Sequence, residues 1–378
     1  MTELDLATAN PVTPLATLLT ESFTASSPAP ALILYLGANT PQHLDAPEAE
    51  TNAIFHKAAL HDLGWLRRIA VRGEDRFRWL SGMVTNTVET LPDHTGAYNL
   101  ILNAQGRIQG DAYVWRNGET IELEVTAAQS EALLAHLDRF IIMDDVELVP
   151  LTNDSALGLS GPQADAILTS VGLPPLPEPL TSADGVVANI PNISVRLFRS
   201  YGTVVPHYAL WTASEDIPAL WQALAAAGAS PVGAAALETL RIVEGIPAWE
   251  VDIQGRDLAQ ETGQARALNF SKGCYLGQEI VERIRSRGQV HRHLRAIELT
   301  PNPDAELPAA GTELRIAGAA ADSKPAATLT SVASVQLSGS QRIFGIGMVR
   351  AEAEVGTPAL TYPGGTAQIL NAPPKLTF

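Results

Sequence analysis

One cysteine, Cys274, is the residue of this chain best suited to do chemistry, and it lies in the run SKGCYLGQEIVERIRSRG, residues 271–288. A thiolate is a nucleophile and a metal ligand, and a helix N-terminus or a nearby cation lowers the pKa of its thiol. Lys272 would share a face with Cys274 in an extended turn, and the apolar residues after Gln278 repeat at helical spacing. We therefore predict a reactive or binding thiol in the turn before a helix, although a lone cysteine is also often a small buried hydrophobe.

Other residues near the cysteine predict less chemistry. Glu279 and Arg283 lie at i, i+4 spacing, which ordinarily indicates a surface pair that contributes little to stability. His291 and His293 are two residues apart and would share one face of a strand. No third ligand accompanies the two histidines, so we predict no metal site.

Charge and composition exclude several classes of partner. The chain carries 41 acidic and 25 basic residues, a formal net charge of -16, so its field repels phosphate backbones and anionic membranes. The first residues show no basic segment followed by an apolar run, which predicts a cytoplasmic protein without a membrane segment. A single cysteine forms no internal disulfide and cannot alone hold an iron–sulfur cluster, which takes about four thiolates.

The elements around the cysteine predict an antiparallel α+β protein of several domains. Residues 1–50 are rich in Ala, Pro, Thr and Ser and predict a loosely packed N-terminal extension. A first α+β domain is expected over 51–171, with a strand ending at Gly73, a helix after Asp75, and a hairpin region separated by the turn sequences NAQG and RNGE. A proline-rich connector over 172–185 opens a second α+β domain, 172–290, and the short strands of 291–378 predict a small β-barrel.

The run from 272 to 279 resembles the K-G-C-Y-x-G-Q-E signature of the YgfZ-type folate-binding proteins, a branch of the glycine-cleavage T-protein (aminomethyltransferase) superfamily. Every specified position matches, at Lys272, Gly273, Cys274, Tyr275, Gly277, Gln278 and Glu279. Four further stretches resemble the family in the expected order, namely GEDRFRWLSGMVTNTV, NAQGRIQGDAYV, LDRFIIMDDVEL and LETLRIVEGIPAWEVDI. The resemblance covers roughly residues 54–300.

Departures from the family pattern separate its two branches. At the signature, aminomethyltransferases carry a sequence similar to K-x-D-F-x-G, whereas this chain has Cys274-Tyr275. In the hairpin they tend to carry paired acids, whereas this chain has Gly110-Asp111. Thr87 replaces the usual Asp of the T-N-D element, and Ala259 stands where Pro is common. The resemblance to the transferase branch is therefore the weaker one.

The resemblance implies a ring-like arrangement of α+β domains with a small C-terminal β-barrel, and a cavity that binds tetrahydrofolate or a derivative. It also implies a role in assembling or repairing iron–sulfur enzymes, with iron–sulfur client enzymes or assembly proteins as partners. A folate ring has an amide and amine edge that a carboxylate can match, and its glutamate tail calls for a cation. The candidate folate contacts are Arg241, Glu261, Asn86, Tyr98, Asp111 and Trp249.

Two other functions compete with an iron–sulfur accessory role in which Cys274 is the working thiol and Lys272 assists it. One is a tetrahydrofolate-dependent aminomethyltransferase or related demethylase, which would turn over a one-carbon substrate. The other is a protein of the same fold that only scaffolds partners, for which Cys274→Ala would change nothing except stability.

Overall fold

The computed structural model describes residues 10–21, 29–188, 190, 193–320, 322–337, 340–356, 358–374 and 376. Within this part of the chain the helices are α1 Pro14–Glu21, α2 Pro47–His56, α3 Arg76–Met83, α4 Ala127–Asp138, α5 Ala164–Ser170, α6 Ile217–Ala226, α7 Ala234–Glu244 and α8 Gln278–Arg287. No helix in the described residues combines the length and apolar character needed to span a lipid bilayer.

The strands come in runs between these helices. They are β1 Leu32–Tyr35, β2 Ala38–Pro41, β3 Ala59–Asp62, β4 Leu66–Arg72, β5 Thr95–Leu102, β6 Ile108–Asn117, β7 Thr120–Thr126, β8 Glu147–Pro150, β9 Asp154–Ser160, β10 Thr181–Val186, β11 Ser194–Arg199, β12 His207–Ala213, β13 Ser230–Pro231, β14 Arg292–Pro301, β15 Glu313–Ile316, β16 Ala327–Leu337, β17 Ser340–Arg350, β18 Leu360–Tyr362 and β19 Gly365–Ile369.

One large sheet holds eleven of the described strands, in the order β13-β3-β9-β12-β11-β10-β5-β6-β7-β4-β8. Neighbouring strands whose register is established pair antiparallel, except that β13 and β3 are parallel. The predicted strand ending before Gly73, the helix after it and the three hairpin strands are all present as β4, α3, β5, β6 and β7. The antiparallel α+β class predicted from the sequence is confirmed.

The chain divides by contacts into two units that alternate along the sequence. Unit 1 comprises Met1–Arg76, Leu91–Gly96 and Tyr113–Leu237, and unit 2 comprises Phe77–Thr90, Ala97–Ala112 and Glu238–Phe378. The core of unit 1 includes Leu157, Leu210 and Leu220, none of which is exposed to solvent. The domain boundaries expected after residues 50, 171 and 290 remain predictions.

Two expectations for unit 1 are wrong. Residues 181–185 of the expected connector belong to β10, which pairs with β11 from Thr181↔Arg199 to Val186↔Ser194. The N-terminal extension is not loosely packed, because Leu15 and Ala16 of α1 are fully buried and Leu15 belongs to the core of this unit. Residues 1–9 and 22–28 of that extension lie outside the described residues.

The predicted C-terminal barrel is confirmed within unit 2. Six strands close in the order β14-β17-β16-β15-β18-β19, and β14 pairs with both β17 and β19. Buried positions alternate with more exposed ones along β16, as expected for a strand with one face toward a barrel interior. Ile297, Leu314 and Val349 are among the fully buried residues that fill the interior.

Candidate functional site

The segment that carries the cysteine, residues 271–277, is an irregular loop of unit 2 that leads into α8, and we call it the thiol loop. Cys274 is exposed and free, while Tyr275, its neighbour, is 8% exposed. No described residue forms a hydrogen bond with the thiol. The structure therefore confirms the predicted turn before a helix and rules out the alternative of a buried hydrophobe.

Lys272 anchors the thiol loop to the C-terminal end of α3. Its Nζ donates to the backbone carbonyls of Ser81, Val84 and Asn86 at 2.7, 2.6 and 2.8 Å. The last carbonyls of a helix have no partner within the helix, and a cation is favourable at that end. The Leu276 N–H makes a second contact there, donating to the Gly82 carbonyl at 2.9 Å.

This use of Lys272 differs from the activating role predicted for it. An ammonium group has three N–H donors, and the three carbonyls take all of them, so none is left to donate to the thiol. Burial lowers the pKa of Lys272 to about 8, and the charge of Glu89 opposes this effect. The geometry makes Lys272 a positioning residue for the loop that presents Cys274.

Tyr275 and Gln278 hold the other side of the loop. The Lys272 Nζ lies 5.1 Å from the centre of the Tyr275 ring, within the range of a cation–π contact. Burial raises the pKa of Tyr275 to about 12. The Tyr275 N–H donates to the Gln278 Oε1 at 3.3 Å, which joins the loop to the first residue of α8.

Close packing requires glycine at two further positions, Gly277 and Gly106 of the hairpin turn NAQG. Gly277 precedes α8 with φ +82°, and a Cβ there would lie 2.6 Å from the carbonyl oxygen of Asn103. A Cβ on Gly106 would lie 2.7 Å from the Cβ of Ile280. Both glycines allow the start of α8 to pack directly on the β5–β6 turn.

The remaining signature residues point to solvent. Glu279 and Arg283 are exposed, and no ion pair joins them in the described structure. Gly273 has no neighbour within 4 Å of a built Cβ, so it leaves open space beside Cys274. His293, for which no metal role was predicted, donates from Nδ1 to the Glu354 carboxylate at 2.9 Å.

Asn86 connects the thiol loop to a second group of predicted residues. Its backbone carbonyl accepts from Lys272, and its side-chain amide donates to the carbonyls of Tyr98 and Arg266 at 3.1 and 2.8 Å. Thr85 beside it donates to the Ala267 carbonyl at 2.7 Å. Both amide donors of Asn86 are therefore used within the protein.

Tyr98, Asp111 and Arg266 form a polar cluster next to Asn86. The Tyr98 hydroxyl donates to the Asp111 Oδ2 at 2.7 Å, and the Arg266 guanidinium carbon lies 4.2 Å from the centre of the Tyr98 ring. The Tyr98 ring is 4% exposed, whereas Asp111 is half-buried. A guanidinium stacked on a phenol beside a carboxylate offers a planar cation together with a hydrogen-bond acceptor.

Arg266 is the residue of this cluster that sequence reasoning missed. It lies in the segment QARALNF, eight residues before Cys274, and nothing in its spacing marks it. The available signal was its charge: it is one of only 25 basic residues, and it lies close in sequence to the signature.

Arg241 lies in a separate network of unit 2. Its guanidinium contacts both carboxylate oxygens of Glu238, Asp252 Oδ2 at 2.6 Å, the Ile246 carbonyl at 3.1 Å and Ser331 Oγ at 2.9 Å. These contacts take all five N–H donors of an arginine. The structure thus assigns Arg241 to holding α7 against β16, with no donor left for the folate tail that we expected it to bind.

Glu261 and Trp249 are likewise apart from the thiol loop. The Glu261 carboxylate accepts from the Leu258 N–H at 2.9 Å and from the Arg292 Nε at 3.0 Å, and it is 7% exposed. Trp249 is half-buried in a tight turn in which Glu250 has φ +64°. Three of the six predicted folate contacts, Asn86, Tyr98 and Asp111, are therefore linked to the thiol loop by a chain of hydrogen bonds. The other three, Arg241, Glu261 and Trp249, are not part of that chain.

Comparison with known proteins agrees with this architecture. The family described as the GCVT N-terminal domain matches residues 23–272. An aminomethyltransferase of Halalkalibacterium halodurans is 26% identical over 331 residues, covering 85% of this chain and 87% of the relative. An aminomethyltransferase of Geobacillus kaustophilus is 29% identical over 266 residues, covering 68% and 72%.

A solved structure shows the same fold. The glycine cleavage system aminomethyltransferase T of Bartonella henselae superposes with a TM-score of 0.81 at 19% identity, covering 97% of this chain and 98% of that one. The fold is therefore the aminomethyltransferase-like α+β fold with its six-stranded barrel. The chain belongs to the GCVT family, and the matched region ends at Lys272, two residues before the cysteine.

Proposed function

We propose that this protein binds tetrahydrofolate or a derivative and supports the assembly or repair of iron–sulfur enzymes, with Cys274 as its working thiol. The observation that carries the proposal is the presentation of Cys274. The exposed thiol lies on a loop that is held on both sides of the cysteine. Lys272 donates to three backbone carbonyls, and the Leu276 N–H donates to a fourth. Such a thiol is open to a partner and contributes nothing to packing.

The residues of the Tyr98 cluster fit a folate by their chemistry. The Asp111 carboxylate is an acceptor suited to the amide and amine edge of the ring, and Arg266 stacked on Tyr98 gives a flat cationic surface. Asn86 links this cluster to the thiol loop. A bound reduced folate would supply a one-carbon acceptor or a reductant, and the residues of this cluster would bind and orient it.

A role in iron–sulfur metabolism agrees with the single cysteine. One thiolate cannot hold a conventional four-cysteine cluster, so this chain would ligate iron or a sulfur species only together with a partner. The exposed position of Cys274 allows that second protein to approach. In this proposal the cluster is cargo rather than a resident group.

A second candidate is an aminomethyltransferase, which the names and coverage of the relatives favour. The hairpin argues against it. The transferase branch tends to carry two acids there, whereas this chain has Gly110 followed by Asp111 and therefore a single carboxylate. Asp111 already accepts from the Tyr98 hydroxyl. A single carboxylate can still act as a general base, so turnover has to be measured to separate the two functions.

Two measurements on the purified protein test this choice. Anaerobic titration calorimetry with tetrahydrofolate should show saturable binding, and its absence would contradict both folate functions. Turnover of an aminomethylated, lipoylated carrier protein with tetrahydrofolate should be no faster than the uncatalysed reaction. Turnover that requires Asp111 and survives Cys274→Ala would establish the transferase instead.

A further inference from the structure

Thr85 is a buried threonine of unit 2 that forms hydrogen bonds with two other segments of the chain. Neither it nor its neighbours Val84 and Leu100 are exposed to solvent. The Thr85 N–H donates to the Leu100 carbonyl at 3.1 Å, and its Oγ1 accepts from the Leu100 N–H at 2.9 Å. The same Oγ1 donates to the Ala267 carbonyl at 2.7 Å, and the Thr85 carbonyl accepts from the Asn269 N–H at 3.1 Å. Thr85 therefore joins β5 to the segment that leads into the thiol loop.

The two partners of the Thr85 hydroxyl lie next to the two residues that stack in the Tyr98 cluster. Leu100 follows Tyr98 by two positions on β5, and Ala267 immediately follows Arg266. The Arg266 guanidinium carbon lies 4.2 Å from the centre of the Tyr98 ring. One hydroxyl thus connects the backbone beside the ring to the backbone beside the guanidinium.

Packing alone does not explain a hydroxyl at this position. Valine has a branched side chain of similar shape, and burying a hydroxyl costs free energy unless it is hydrogen-bonded. The Thr85 hydroxyl is used both as a donor and as an acceptor, and its two partners are 167 positions apart, at Leu100 and Ala267. Its evident effect is to fix the position of one segment relative to the other.

We propose that Thr85 is a positioning residue for tetrahydrofolate binding and that it acts through Arg266. This inference rests on the proposed function, because it takes the Tyr98 cluster as the folate site. The hydroxyl holds the backbone beside Arg266 against β5, and the guanidinium stacks on the Tyr98 ring. Stacking and paired hydrogen bonds of a planar guanidinium depend on its orientation, so a shift of this backbone weakens its contact with a bound folate.

Anaerobic titration calorimetry with tetrahydrofolate tests the role of the hydroxyl. Thr85→Val keeps the branched shape but removes the hydroxyl partner of two buried backbone groups, so we expect the dissociation constant to rise roughly fivefold or more. Thr85→Ser keeps the hydroxyl and should bind within about twofold of the wild type. The matched control is Thr212→Val, which removes another buried threonine hydroxyl, one that donates to the Ser194 carbonyl at 2.9 Å in unit 1. It should lower the free energy of unfolding without changing the affinity.

A double-mutant cycle tests whether Thr85 acts through Arg266. Arg266→Gln removes the stacked guanidinium and should itself weaken tetrahydrofolate binding. In that background Thr85→Val should raise the dissociation constant by less than about twofold, because the group that it would displace is already absent. Additive effects of the two substitutions would show that Thr85 does not act through Arg266.

Three further results would overturn the positioning role. They are wild-type affinity in Thr85→Val, affinity in Thr85→Ser as weak as in Thr85→Val, and equal weakening by Thr85→Val and Thr212→Val. If Thr85→Val does not fold, Asn86→Asp takes its place, because it removes the amide that donates to the Arg266 carbonyl and should weaken binding likewise. If the wild type binds tetrahydrofolate, these results reject only the role of Thr85. If the wild type does not bind it, the proposed function fails as well.

Discussion

The side-chain nitrogen of Lys272 lies 2.6 Å from the backbone carbonyl oxygen of Val84, and the two residues are 188 positions apart in the chain. This contact, with those to Ser81 and Asn86, fixes the thiol loop to the end of α3. The exposed cysteine is thus positioned by a half-buried lysine that does not itself donate to the thiol.

The stability of the protein should depend on pH through Lys272. Burial gives this lysine a pKa of about 8 in the folded protein, against an ordinary value of 10.5. The folded state therefore binds fewer protons than the unfolded state between these values, and the free energy of unfolding rises with pH there, by at most about 1.4 kcal/mol per unit.

Urea unfolding of wild type and Lys272→Met at several pH values measures this contribution. All other ionisable groups are present in both proteins, so their effects on the free energy of unfolding cancel in the difference. The free energy of unfolding of the wild type minus that of the variant should be constant from pH 6 to 7 and should increase from pH 8 to 9.5. Lys324→Met, which removes an exposed lysine, serves as the control. A difference that is independent of pH would show that the Lys272 pKa is not lowered.

Gly277→Ala should destabilise the protein, whereas Gly273→Ala in the same loop should not. The first substitution puts a Cβ 2.6 Å from the Asn103 carbonyl oxygen at φ +82°, while the second meets nothing within 4 Å. We expect a loss of about 1–3 kcal/mol for Gly277→Ala and less than about 0.5 kcal/mol for Gly273→Ala. Chemical denaturation of the two variants checks this, and equal effects would contradict the packing of α8 on the β5–β6 turn.

Asp111→Asn should weaken tetrahydrofolate binding at least tenfold. The substitution keeps the size of the side chain but removes the carboxylate that would pair with the ring edge, a loss of about 1.5–3 kcal/mol. Asp322→Asn, at an exposed position, is the matched control. Anaerobic calorimetry provides the dissociation constants, and an unchanged value for Asp111→Asn would remove the Tyr98 cluster from the folate site.

Arg241→Gln should lower stability without changing tetrahydrofolate affinity. The substitution leaves the buried Asp252 carboxylate, 2% exposed, without its cation, and breaking such a pair costs about 3–5 kcal/mol. Arg285→Gln, at an exposed pair, should cost less than about 1 kcal/mol. If folded Arg241→Gln protein bound tetrahydrofolate much more weakly, the original assignment of Arg241 to the folate tail would be restored.

Local patterns predicted the elements around the site well. The glycine–cysteine turn, the helix after Gln278 and the NAQG hairpin all follow from neighbouring residues, and the short strands after Arg292 indicated the barrel. The N-terminal extension was misjudged because its Ala, Pro and Thr content hides Leu15, whose burial depends on elements far along the chain.

The pairing of charged side chains could not be predicted. Arg241 is a plausible anion ligand by type, and only the positions of Glu238, Asp252 and Ser331 show that its donors are used. Likewise, Lys272 reaches carbonyls almost two hundred residues earlier in the chain, and Arg266 stacks on a tyrosine from another segment. Such contacts are set by tertiary packing, which a sequence pattern does not record.

The most direct test of the central claim is the activity of a cluster-dependent radical enzyme in cells that lack this protein. The cells are rescued with wild type, Cys274→Ala or Gly273→Ala, each expressed at an equal and verified level. The account predicts that wild type and Gly273→Ala restore the activity and that Cys274→Ala does not. Full restoration by Cys274→Ala would contradict the working thiol, and failure of wild type to restore activity would contradict the iron–sulfur role itself.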